Sequence, residues 1–333
     1  MSAQLETHAE IVKIARLLDA EPSEIEYLAD ISPESLRNMR RALLDRFYGG
    51  KDEGIQRFAK IGNLLPAKVI AQLTKEAVGP VMAARIAGLI DPKQAASVVG
   101  NLPPAFVAEI ATYIDPRRVE PVIGRLPDDQ LIKIAKQLID REEYVTMGQL
   151  ASFVSDEILN MAFGYASDEA LLRVAFVTED KSKLSEALKP QSDERITNII
   201  RTAVNTNLWP EAVDLLTQLS DEQYLRVINL ASKLDKKSMD KLVGSTIEPV
   251  LWQIMVPAMA QMDDPTRAVQ ALLHGSNDSI KGFTETVIGD GAWQDARELL
   301  EKLDGPTRHE FRAVLARRKL VTQFEPVAEL LAA

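Results

Sequence analysis

The sequence predicts an all-α fold: an α-solenoid, a right-handed superhelix of short helical repeats. Three observations predict it. Between Gly79 and Leu138 the chain repeats every 12 residues, five times in succession, as GPVMAARIAGLI, DPKQAASVVGNL, PPAFVAEIATYI, DPRRVEPVIGRL and PDDQLIKIAKQL. The apolar columns of these copies are spaced i, i+3, i+4 and i+7, which is one face of a helix, and no copy alternates with strand period. A longer repeat follows, in which WPEAVDLLTQL from Trp209 recurs as WQDARELLEKL from Trp293, with Trp252 near the midpoint. Half that separation matches a helical solenoid unit of about 40 residues.

Each element of the 12-residue repeat has a physical reason. Position five holds Ala83, Ala95, Val107, Val119 and Leu131, and position eight holds Ile86, Val98, Ile110, Val122 and Ile134. Position nine holds Ala87, Val99, Ala111, Ile123 and Ala135, and position twelve holds Ile90, Leu102, Ile114, Leu126 and Leu138. Pro80, Pro92, Pro104 and Pro116 occupy position two, where a first helical turn accepts proline without losing a bond. Asp91 and Asp115 precede two of them as N-caps. Gly88, Gly100 and Gly124 stand near helix ends, where a left-handed cap is expected. Pro121 falls inside the fourth copy and is expected to shorten that helix, through a late start, or to kink it. Helices of two to three turns are unstable alone, so the repeats must stack to bury their stripes.

The period continues with small insertions as SDEILNMAFGYA from Ser155, SDEALLRVAFVT from Ser167, DKSKLSEALKPQ from Asp180 and SDERITNIIRTA from Ser192. Serine at the cap with acids in the first turn favours a helix start. Leu159, Ala162 and Phe163 recur at the repeat columns, as do Leu171, Val174 and Ala175, and then Ile196, Ile199 and Ile200. Ahead of the repeats, helices are expected over Glu10–Leu18, Glu21–Leu28 and Ser32–Phe47, followed by a hinge at GGKDEG, residues 49–54. This gives three regions: an N-terminal helical cap or hairpin over 1–50, short-helix repeats over 51–203, and longer helical repeats over 204–333. The three tryptophans read as packing anchors between helices.

Composition narrows the function. The 333-residue chain carries 39 basic and 49 acidic residues, a net charge of −10, which repels nucleic-acid phosphates on average. It has no cysteine, which excludes disulfides, cysteine-based zinc sites and cysteine nucleophiles. No apolar run reaches the roughly 18 residues that span a bilayer, and the N-terminus lacks the basic and apolar regions of a signal peptide, so a cytoplasmic protein is expected.

Chemistry-bearing motifs are sparse. His8, His274 and His309 form no metal-binding spacing, and no nucleophile elbow, phosphate loop or dinucleotide fingerprint occurs. The acidic pairs Asp128-Asp129, Glu142-Glu143, Glu179-Asp180 and Asp263-Asp264 read as solvated helix ends, with a weak divalent-ion site as the alternative. GDG at 289–291 and DG at 304–305 read as turns. The basic groups Arg37, Arg40, Arg41 and Arg46, then Arg117, Arg118 and Arg125, then Arg312, Arg317, Arg318 and Lys319, read as charged helix faces, with an acidic surface or headgroup as the other reading. The sequence therefore assigns no catalytic, cofactor-binding or metal-ligating residue, requires no cofactor, and leaves the binding face open.

The run IDPKQAASVVGNLPPAFVAEIATYIDPRRVEPVIGRLP resembles the cytosolic N-terminal domain of MgtE-family magnesium transporters, a superhelix of short helices with recurring L-P and D-P corners. The resemblance covers residues 61–140 and extends toward 203. It implies a superhelical stack and, through the family, a response to Mg²⁺. No transmembrane region and no pair of CBS domains accompanies it, and no motif aligns the transporter's metal-binding acids with residues of this chain. Similar stacking occurs in the flagellar switch protein FliG, whose EHPQ-type motif is missing here. The leading expectation is a non-enzymatic scaffold or adaptor that holds a protein partner on a superhelical surface. The alternative is a Mg²⁺-responsive regulator that binds the ion weakly. Nucleic-acid binding and membrane insertion are not expected, and homo-oligomerisation is left open.

Overall fold

A computed structural model describes residues 3–49, 53–246 and 249–332, and every element in it is helical, with no strand among the described residues. The described residues fall into two compact units, 3–187 and 188–332.

The first unit runs α1 (Ala3–Leu18), α2 (Pro33–Tyr48), α3 (Glu53–Gly62), α4 (Ala67–Leu73), α5 (Pro80–Ala87), α6 (Pro92–Val99), α7 (Pro104–Ala111), α8 (Pro116–Ile123), α9 (Asp128–Asp140), α10 (Tyr144–Ala151), α11 (Asp156–Phe163), α12 (Asp168–Val177) and α13 (Ser182–Leu188). A short 3₁₀ turn at Pro22–Leu28 joins α1 to α2, and a π-helical turn at Thr74–Val78 extends α4. Helices α5 to α8 are each eight residues long and each begins at the position-two proline. Asp91 accepts from the Lys93 and Gln94 amides at 3.0 and 3.1 Å, and Ser155 and Ser167 accept from Ile158 and Ala170. These caps satisfy amides that have no partner within the helix.

Helices this short bury themselves on the next-but-one neighbour. Thus α3 packs on α5, α4 on α6, α5 on α7, α6 on α8, α7 on α9, α9 on α11 and α10 on α12. All five position-eight residues, from Ile86 to Ile134, are buried as a result. Close approach is set by glycine where it is needed. A Cβ on Gly148 of α10 would lie 2.8 Å from the Val174 carbonyl of α12.

Several expectations need correction. Gly88, Gly100 and Gly124 take right-handed φ values of −78°, −61° and −65°, so they are not left-handed caps. At Gly88 the demand is space, since a Cβ there would sit 2.9 Å from the Arg118 Cβ. Pro121 does not delay its helix, for α8 starts at Pro116 in register with its neighbours. An eight-residue helix has few internal bonds, and a proline at its sixth position forfeits only one of them. The DG at 304–305 is a helix start, with Asp304 accepting from the Thr307 amide at 2.8 Å. The first helix is longer than expected, beginning at Ala3. It packs on α2, α10 and α12 within the first unit. Of the hinge at 49–54, Gly50 to Asp52 lie outside the described residues.

The second unit runs α14 (Asp193–Asn205), α15 (Trp209–Leu216), α16 (Asp221–Ser232), α17 (Lys236–Gly244), α18 (Pro249–Gln261), α19 (Thr266–His274), α20 (Asn277–Gly289), α21 (Trp293–Lys302), α22 (Gly305–Arg317) and α23 (Ala328–Ala332), with a 3₁₀ turn at Val321–Val327. The division between units falls at 187/188, and the expected junction at 203/204 lies inside α14. Trp209 and Trp252 are buried and Trp293 is half-buried. Trp252 meets Phe283 edge-on at 6.2 Å, Phe283 meets Phe311 at 5.8 Å, Phe311 meets Phe324 at 6.1 Å, and Phe324 meets Trp293 at 5.5 Å. Such edge contacts add to the burial of large rings. Trp209 Nε1 donates to Thr246 Oγ1 at 3.1 Å, so its polar edge is satisfied inside the unit.

Candidate functional site

The repeat columns do more than pack. In the first unit, residues of positions five, eight, nine and twelve wall a void of about 170 Å³ whose lining side chains are all apolar. The wall continues through the downstream columns at Leu159, Ala162, Phe163, Leu171 and Val174. The cause is local. Alanines at position nine, Ala87, Ala111 and Ala135, are too short to reach across between the helices that wall the void. A second void of about 290 Å³ adjoins the first and shares Ala87, Val99, Ile110 and Val122 with it.

This second void opens among α3, α4 and the π-helical turn. Phe58, Ile61 and Leu73 line it and are 58 %, 52 % and 46 % exposed. Leu64, just beyond α3, is 84 % exposed, and Val69 and Val81 are also exposed. Helix α3 has two apolar faces. Ile55 and Ala59 pack with Ile86 of α5, and Phe58 and Ile61 face outward. Arg57, Lys60, Lys68 and Lys75 surround this surface in the sequence and are exposed. Arg57 pairs with Glu53 at 3.5 Å.

A charged cluster fixes α1 and α2 to the rest of the first unit. Glu10 is 1 % exposed, and Lys13 and Arg40 are each 4 % exposed. Arg40 Nε donates to Glu10 Oε2 at 2.8 Å, Lys13 Nζ donates to Glu10 Oε1 at 3.1 Å, and Arg37 Nε donates to the same oxygen at 3.4 Å. Arg40 Nη2 also donates to Glu179 Oε1 at 2.5 Å, after the end of α12. Burial pushes the Glu10 carboxyl up, but Lys13 and Arg40 more than reverse this and hold it below the usual glutamate range. Burial pushes the Lys13 ammonium down, with Glu10 and Glu179 opposing. Arg16 forms a second tie, donating to both Glu143 oxygens at 3.0 and 3.2 Å.

The residues singled out in the sequence are dispersed by this fold. The His8 ring lies tilted against Phe176 with centroids 5.8 Å apart, His274 hydrogen-bonds Glu310 at 2.9 Å, and His309 is exposed. The acidic pairs do not converge, and among the described residues no three His, Asp or Glu side chains are placed to hold a metal. Asp129 pairs with Lys133, Glu143 with Arg16, Glu179 with Arg40, and Asp264 accepts from the Thr266 amide. Glu143 and Glu179 are therefore ion-pair partners, not solvated helix ends.

Among the basic groups, Arg41, Arg46, Arg125, Arg312, Arg317 and Lys319 are exposed, whereas Arg40, Arg117 and Arg118 join ion-pair clusters. Arg40 is buried, and Arg117 and Arg118 converge on the buried Asp115 and reach Asp45 of α2 at 3.3 and 3.4 Å. Burial and the nearby Asp115 carboxylate push the Tyr48 hydroxyl above its ordinary value. Arg125 donates to the Pro121 carbonyl, Arg312 to Leu331, Arg317 to Ala313, and Arg318 to Asn277.

Sequence reasoning missed two sets of residues. Gln94 and Gln130, both at position four, donate to the carbonyls of Leu65 and Val99 at 2.7 and 2.8 Å and so join repeats about 30 positions apart. Glu10 and Lys13 were the other set, and their signal was present: both lie on the helix face that carries Ile11 and Ile14. A charge on an apolar stripe announces a buried partner.

No family model, no curated protein and no solved structure matches the chain. The helices of the described residues include none long and apolar enough to cross a membrane.

Proposed function

We propose that this protein is a non-enzymatic scaffold or adaptor that holds a protein partner on the apolar surface around α3 and α4. The observation that carries the reading is the group Phe58, Ile61 and Leu64, three large apolar side chains each more than half exposed and continuous with an apolar-lined groove. Apolar patches rimmed by charge mark interaction surfaces, because water contact there is costly until a partner covers it. Stacked helical repeats suit this role, since each repeat adds surface without requiring a deep preformed site. The reading sets the protein in the cytoplasm, which fractionation checks.

The test uses wild type and Phe58→Asp/Leu64→Asp as baits. A partner retained by wild type is identified, purified and titrated against both proteins. The double substitution is expected to weaken binding by roughly thirtyfold or more, the effect of losing an interface hot spot. Equal affinity for both baits would remove α3 from the interface.

A further inference from the structure

The two adjoining voids of the first unit carry an inference that does not rest on a protein partner. We propose that they form one binding site for a long-chain carboxylic acid, with its hydrocarbon tail in the groove and its carboxylate at the mouth beside Lys60 and Lys75.

The chemistry of the wall selects the tail. Every side chain lining the deeper void is apolar, and Thr74 is the polar side chain lining the outer one. A peptide strand laid there would leave its amides and carbonyls without partners. Size excludes a helix. An apolar void of about 150 Å³ holds one benzene, and the deeper void is of that order at about 170 Å³. One helical turn has 3.6 residues and many times the atoms of benzene. By the same measure the two voids together hold about three benzene equivalents, some eighteen carbons. That is the content of a single unbranched fatty acid.

The mouth selects the head. Lys60 stands next to Ile61, and Lys75 next to Thr74, and both neighbours line the outer void. Both lysines are exposed. On a chain of net charge −10 each is an exposed cation one residue away, in the sequence, from a side chain of the apolar wall. The nearby Glu76 accepts from Gln72 at 3.2 Å. A carboxylate at this rim keeps its hydration while its tail leaves water, the arrangement amphiphiles adopt at any apolar–aqueous boundary.

The test is displacement of the fluorescent fatty acid cis-parinarate from the full chain by palmitate, by 1-hexadecanol and by a palmitoyl lysophospholipid. Wild type is expected to bind cis-parinarate saturably and to release it to palmitate. Ala135→Leu/Ala162→Leu fills the deeper void and is expected to weaken palmitate by roughly tenfold or more, the scale of a misfit in an apolar pocket. Ala87→Leu, in the wall common to both voids, serves where the double variant fails to fold by circular dichroism. Hexadecanol is expected to compete roughly twofold to fivefold less well than palmitate, the worth of an exposed charge pair. Lys60→Glu/Lys75→Glu is expected to erase that preference. Absence of saturable binding by wild type, unchanged palmitate binding in a folded filled variant, or competition by the lysophospholipid with none by palmitate would each overturn the proposal.

Discussion

Replacing Glu10 by alanine tests how the first two helices are held. Glu10 is 1 % exposed and receives hydrogen bonds from Lys13, Arg37 and Arg40. Its removal leaves two nearly buried cations, of which Arg40 keeps Glu179 and Lys13 keeps no carboxylate at hydrogen-bond distance among the described residues. Breaking a buried pair from one side costs about 3–5 kcal/mol, because the remaining charge stays desolvated. The retained Arg40–Glu179 contact places the expected loss near the lower end, about 3 kcal/mol. At about 2–4 °C per kcal/mol for a unit of this size, the Tm of the first unit falls by roughly 10 °C. The assay is urea unfolding of wild type, Glu10→Ala, Glu10→Gln and Arg37→Ala, with amide exchange across α1. Glu10→Gln keeps an acceptor without the charge and is expected to fall between wild type and alanine. Arg37→Ala removes a partly exposed partner and is expected to cost about 1 kcal/mol or less. A Glu10→Ala loss below about 0.5 kcal/mol, with α1 still protected, would refute the claim that this cluster docks the hairpin.

Four further outcomes are expected. The Glu10 carboxyl titrates below its ordinary value of 4.5 in the folded protein, so its stabilisation is complete above that value and is lost as pH falls through the lower folded value. The urea midpoint of wild type should therefore drop more steeply below pH 4.5 than that of Glu10→Gln, and parallel curves would contradict this. Gly282→Ala would set a Cβ 2.2 Å from Trp252 Nε1 and is expected to destabilise the second unit by about 1–3 kcal/mol, read by denaturant unfolding. Gly289→Ala, whose Cβ meets nothing within 4 Å, is expected to be neutral or stabilising by about 0.4–1 kcal/mol. Exchange of chelator for millimolar Mg²⁺ is expected to leave Tm unchanged, and a rise that grows with ion concentration would favour the cation-responsive alternative.

The repeats were legible because their signals are local. A proline at position two, Asp91 and Asp115 before two of these prolines, and apolar columns at helix spacing place the starts of α5 to α8 within the sequence itself. The groove was not legible for a physical reason. Periodicity identifies which face turns inward, and it does not say whether side chains from opposite helices meet. Alanine at Ala87 or Ala135 reads equally well as tight packing or as a gap. The pairing of Glu10 with Arg40 spans 30 positions, and that of Arg40 with Glu179 spans 139. Only the packing of α1 on both α2 and α12 brings those groups together. The change of repeat length was read as a junction at 203/204, a position that lies inside α14.

The central claim is that α3 presents its outer apolar face to a partner. A photo-crosslinking amino acid placed at 58, 61 or 64 in living cells, with exposed Glu222 as the control position, tests it most directly. The account predicts one discrete adduct common to the three α3-side positions and missing from the control. Adducts equal at all four positions, or none from 58, 61 and 64, would contradict it.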